Sequence, residues 1–238
     1  LPAFEALGDR RSIAVTWGRI ADVLFQKGDV DEVLRIRREV ELPAFEALCD
    51  RRSIAITWGK IADVLFQKGD VGGARNARLD QLEAAKSLGD VDMIANAQWG
   101  LAQIALARQE WRDAADRLHE AYAILLRIGR VDAVAVVGET FGRLLAHAGQ
   151  KDAAAEVLTQ AAAAYRKLGA VTKADELEAL VRQLPREGDR GEANGPEHRT
   201  GFAGGIIPRA IRLLRDVRRL LGRSISAIRA MIRRTPRC

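Results

Sequence analysis

Residues 55–74 read AITWGKIADVLFQKGDVGGA, and this stretch decides the fold. Trp58, Ile61, Ala62 and Leu65 recur at helical spacing, so a helix here carries one apolar stripe. Gly69 breaks that helix, and Val71 and Ala74 open another. The unit is therefore a helix, a tight turn and a returning helix. One such hairpin cannot bury its apolar face, whereas a stack of them can.

Working outward, residues 1–30 recur as residues 42–71 with three differences, Gly8/Cys49, Val15/Ile56 and Arg19/Lys60. The period of this duplication is 41 residues, and the more diverged copies that follow step by 40. Leu88-Gly89, Ile128-Gly129 and Leu168-Gly169 end successive returning helices, and Ala55, Ala95 and Ala135 mark equivalent points on successive first helices. This spacing predicts first helices near 11–27, 51–67, 91–107 and 131–147, and returning helices near 31–48, 71–88, 111–128 and 151–168. A further helix over 171–184, with Lys173, Asp175, Glu176 and Glu178 on a polar outer face, is expected to cap the stack. Pro43 falls inside a returning helix, which predicts either a kink there or a helix boundary that lies elsewhere.

Composition agrees with close-packed helices: apolar residues make up 48% of the 238, but aromatics only 5%, and Ala and Leu dominate. The net charge of +6 divides unevenly. Residues 201–238 hold ten Arg and one Asp, whereas the preceding 200 residues hold 28 basic and 31 acidic side chains. The high pI therefore belongs to the tail, and the body gives no electrostatic argument for nucleic acid. Cys49 and Cys238 offer neither a disulfide framework nor metal spacing, which fits a reducing cytoplasm. No apolar run approaches the roughly 18 residues that a membrane span needs. The chain starts at Leu1 in what reads as a returning helix, and is expected to be a fragment or a processed chain.

From 185 to 205 the sequence PREGDRGEANGPEHRTGFAGG replaces the apolar period with Gly, Pro and charge, the composition of a flexible linker. Beyond it, Ile207, Ile211, Leu214, Val217, Leu221, Ile225, Ile228 and Ile232 recur at three- or four-residue steps among arginines. This predicts a basic amphipathic helix over 206–238, with Arg212, Arg215, Arg219 and Arg223 facing a membrane or a partner. The absence of interleaved aromatics argues against nucleic acid.

The body, residues 1–184, resembles the tetratricopeptide repeat family in a long, roughly 40-residue form found in bacterial signalling proteins. The second unit carries the resemblance with Trp58, Ile61, Ala62, Leu65, Gly69, Val71 and Ala74, and the first with Trp17, Ile20, Ala21, Leu24, Gly28 and Val30. The third has Leu101, Ala102, Trp111, Ala114, Leu118 and Ala121; the fourth has Phe141, Gly142, Leu145, Gly149, Ala154, Leu158 and Ala161. Gln98 stands where the third unit should have Trp, with Trp99 one place along, and the family's closing Pro is absent.

The resemblance implies an all-α, right-handed α-solenoid of about four antiparallel hairpins plus the cap. It also implies a concave face that takes a peptide or partner helix. The family's groove positions fall on Arg19, Asp22, Gln26, Lys60, Asp63, Gln67, Trp99, Gln103, Glu139, Arg143 and His147. Trp17, Trp58 and Trp111 are expected in the core. His119, His147 and His198 share no metal spacing, and no nucleophile constellation or phosphate-cradling glycine loop is present, so no enzyme and no cofactor is expected. The expected work is protein–protein interaction, as a scaffold or sensing module. The alternatives are a peripheral membrane adaptor anchored by the tail, or the sensor end of a larger switch ATPase.

Overall fold

The computed structural model describes Phe4 and residues 6–184; the linker expected at 185–205 and the basic helix expected at 206–238 lie outside the described residues. The chain divides into two compact units, Leu1–Ala121 and Tyr122–Cys238, each described by itself below. All of the elements described are helical. The first unit holds α1 (Arg10–Lys27), α2 (Val30–Arg35), a π-helical segment (Ile36–Glu41), α3 (Leu42–Ala47), α4 (Arg51–Lys68), α5 (Val71–Leu88) and α6 (Val91–Ala107). The division falls within α7 (Trp111–Ile128), and α8 (Val131–His147), α9 (Lys151–Lys167) and α10 (Val171–Gln183) follow. The spans expected at 91–107, 111–128 and 131–147 are reproduced residue for residue.

The turns follow from local chemistry. Asp9 and Asp50 cap α1 and α4, their carboxylates accepting from the Ser12 and Ser53 amides at 3.0 and 3.1 Å. Gly28 and Gly69 close the same helices at φ 83° and 86°, in the left-handed region that costs glycine least. Cys49 adopts φ 53° where its duplicate has Gly8 at φ 64°. Cys49→Gly should therefore stabilise the chain by about 1 kcal/mol, read as a higher urea midpoint with unchanged slope.

The 41-residue period has a structural cause. From Asp29 to Asp50 the chain carries one residue more than from Asp70 to Asp90, the equivalent stretch of the next hairpin. The π-helical segment Ile36–Glu41 absorbs that residue, since a π turn holds more residues than an α turn. Pro43 follows at once, in the first turn of α3, where a missing N–H is tolerated. The irregularity expected at Pro43 is thus a π turn just ahead of it.

In the first unit, Val33 and Ile36 of the returning arm, Ile61, Val64 and Leu65 of α4, Ala77 of α5 and Ile104 of α6 form one buried cluster. Trp17 and Trp58 pack against it, half-buried. Trp111 departs from the core assignment. As the first residue of α7, where the preceding hairpin has Val71, it lies at the helix edge and is 40% exposed.

In the second unit, Leu158, Ala161 and Ala162 of α9 pack on Ala174 and Leu177 of α10. The Tyr122 and Phe141 rings stand 6.0 Å apart, and the Tyr122 hydroxyl donates to Gln160 at 3.0 Å. α8 and α9 approach so closely that a Cβ on Gly142 would lie 2.6 Å from Leu158 Cγ.

Candidate functional site

The first helices α1, α4 and α6 carry the expected groove residues of the first unit, and two of these prove to be tied down from below. Arg37, on the π-helical segment and 2% exposed, donates from Nη2 to Asp22 at 2.5 Å and from Nη1 to Glu41 at 2.8 Å. Lys60 of α4 reaches the same Asp22 at 2.8 Å. One hairpin later the pattern recurs. Buried Arg78 of α5 bonds Asp63 through Nη2, and its Nη1 donates to Gln81 at 2.7 Å and to Asn96 of α6 at 3.3 Å. In the third hairpin, Arg117 donates to buried Gln98 at 3.0 Å, and Gln98 donates to Glu120 at 2.5 Å.

Glycine makes room for these polar side chains. A Cβ on Gly18 would lie 2.5 Å from Glu41 Oε1, one on Gly59 2.5 Å from Gln81 Nε2, and one on Gly100 2.2 Å from Arg78 Nε. Each glycine therefore opens a window through which a returning helix passes a polar group towards the first helices. Burial raises the Glu41 carboxyl above its usual range, with Arg37 and Lys60 pulling the other way. Partial burial also pushes Asp22 up, but the bonds from Lys60 and Arg37 prevail and hold it below the usual range.

Two neighbouring clefts result. The first, about 290 Å³, lies between α1 and α4 and is lined by Val15, Gly18, Arg19, Asp22, Ser53, Ile56, Thr57 and Lys60 over Glu41 and Phe45. The second, about 300 Å³, is lined by Ile56, Gly59, Lys60 and Asp63 of α4 with Met93 and Asn96 of α6, over Arg78 and Gln81. They share Ile56 and Lys60. In each, an apolar side chain (Val15 or Ile56) sits one turn from a cation (Arg19 or Lys60) on the leading helix. Two of the three differences between the duplicated stretches fall at these lining positions. The buried Thr57 hydroxyl, at the wall of the first cleft, has no hydrogen-bond partner.

Of the other expected residues in this unit, Gln26, Gln67 and Gln103 are exposed on α1, α4 and α6. Trp99 is half-buried, and Gln98 takes the buried position that the family pattern gives to Trp. In the second unit Glu139 and Arg143 pair with each other, at 3.0 Å, rather than standing free. Glu139 also accepts from the Tyr165 hydroxyl at 2.8 Å. His147 is exposed at the end of α8. Among the described residues no cluster of His, Cys, Asp and Glu could hold a metal, and no helix is long and apolar enough to cross a membrane.

Partial burial pushes the Glu139 carboxyl up, but Tyr165, Arg143 and Lys173 outweigh it and hold the group below the usual carboxylate range. Burial and the same bond push Tyr165 up to about 12. The stabilisation carried by ionised Glu139 is present above the unfolded value of about 4.3 and is lost as pH falls through the lower folded value. Tyr165→Phe should therefore lower stability by about 1 kcal/mol at pH 7, and the difference should close as the pH is taken below 4.3 in parallel urea titrations.

Arg37, Glu41, Arg78 and Gln81 were not among the residues expected from sequence. A trace was present: Arg37 and Arg78 are 41 residues apart, as are Asp22 and Asp63.

No protein-family model and no curated protein matches the chain. Solved structures do. BtubC (BKLC) from P. vanneervenii is similar with a TM-score of 0.54 at 17% identity, over 83% of this chain and 93% of that one. A signal-transduction ATPase with numerous domains and a tetratricopeptide repeat sensor, from Pyrococcus horikoshii, is similar with a TM-score of 0.53 at 15% identity, over 75% of this chain and 31% of that one. At these identities the likeness concerns the fold, and it agrees with the hairpins, the glycine turns and the repeated period described above. The chain therefore has the tetratricopeptide-type fold, an all-α solenoid of antiparallel helix hairpins.

Proposed function

We propose that this protein is an interaction scaffold that holds an extended peptide or a partner helix across the first helices of its first unit. The observation that supports this reading most is the pair of clefts, one repeat apart, with a shared wall of Ile56 and Lys60. A ligand laid across α1, α4 and α6 would set successive apolar side chains against Val15 and Ile56. Its acidic or carbonyl groups would meet Arg19 and Lys60. Arg37 and Arg78 hold Asp22 and Asp63 in place, so the lining is ordered before the ligand arrives, which lowers the entropy cost of binding.

A photo-reactive amino acid placed at Ile56 should crosslink the partner, whereas the same group at Lys86, outside both clefts, should not. Equal crosslinking from both positions would move the site away from this face.

A further inference from the structure

The near-identity of residues 1–30 and 42–71 lets each side chain of α1 be compared with its twin in α4. Val23 is 51% exposed, but its twin Val64 is 2% exposed. Ile20, Leu24 and Thr16 are half-buried, but Ile61, Leu65 and Thr57 are buried. Phe4 is 37% exposed, but Phe45 is 3% exposed. The charges differ in the same sense. Lys60 pairs with Asp22 of the hairpin before it, and Lys68 pairs with Asp31 at 2.6 Å. Their twins Arg19 and Lys27 have no ion pair among the described residues.

We infer that the leading face of α1 is a docking surface for one more hairpin of this chain's own repeat type, with the chemistry of residues 10–41. What covers α4 shows what fits. Val33 and Ile36 belong to the buried cluster that contains Ile61, Val64 and Leu65, so a hairpin with those apolar groups covers Ile20, Val23 and Leu24 in the same way. Its counterparts of Asp22 and Asp31 meet Arg19 and Lys27. Its counterpart of Arg11, which reaches Asp50 at 2.6 Å, meets Asp9. A second copy of the whole array does not fit, because its own Val33 and Ile36 are already buried against its own α4. Docking also forms a third cleft of the same kind, with Val15 and Arg19 as its shared wall.

The test joins one extra copy of residues 1–41 directly ahead of residue 1 of the full chain, which continues the 41-residue period without a break. Cys49→Ser and Cys238→Ser leave a single thiol, placed by Val23→Cys, where position 23 keeps its present number. Maleimide labelling of that thiol should slow at least about tenfold relative to the unextended chain, reaching the rate of Val64→Cys. An extension of 41 Gly and Ser residues should leave the rate unchanged. The inference is overturned if the thiol at 23 reacts as fast with the repeat extension as without it. Folded or unfolded, an added copy that leaves this thiol open has not docked.

Discussion

Arg37→Met should lower the stability of the first unit by about 3–5 kcal/mol, because it leaves the buried Glu41 carboxylate without its main cation. The loss is electrostatic, since methionine fills much of the same channel. Arg37→Met combined with Glu41→Gln should therefore recover about 2 kcal/mol of it, a coupling that independent sites would not show. The pH dependence has a definite sign. A carboxyl whose folded pKa is raised imposes its burial penalty only when ionised, so the penalty is absent at low pH and grows as pH rises through the raised value. Removing Arg37 raises that value further, and the gap between variant and parent should narrow towards pH 4. A gap that stays constant from pH 4 to 7, measured by urea unfolding, would show that lost packing dominates.

Gly142→Ala should destabilise the second unit by about 2 kcal/mol, against the direction of helix propensity. The new methyl would meet Leu158 Cγ at 2.6 Å, Cδ2 at 2.7 Å and the Leu158 backbone nitrogen at 3.3 Å, so α8 and α9 must part to admit it. Gly72→Ala on α5 is the matched control. Its nearest neighbour would be Asp70 Oδ1 at 3.8 Å, and the substitution should stabilise by about 1 kcal/mol. Thermal unfolding of the two variants should therefore move in opposite directions. Stabilisation by both substitutions would mean that propensity, rather than helix contact, governs both sites.

These two predictions also mark where the sequence was legible. Trp58, Ile61 and Leu65 repeat a helical period, and Gly69 and Gly89 end helices in a conformation that favours glycine, so helix spans could be read from local chemistry. The π turn was visible only as an unexplained extra residue between two copies. Arg37 and Arg78 were harder still. A guanidinium that crosses from a returning helix to the preceding first helix obeys no periodicity within either one, and the glycine that admits it looks like a weak helix position. The resemblance put Asp22 and Asp63 among the groove positions, but their ties to Arg37 and Arg78 could not be read from it. Trp99 and Gln98 illustrate the same limit: one residue along a helix is a rotation of about 100°, which separates the buried position from its half-exposed neighbour.

The wall that the two clefts share, Ile56 and Lys60, is where a bound partner would touch both. Ile56 is 41% exposed, so Ile56→Glu alters the lining with little expected effect on folding. Titration of the crosslinked partner against parent and Ile56→Glu protein of equal helicity should give a dissociation constant at least about tenfold weaker for the variant. An unchanged constant would place the partner elsewhere on the molecule.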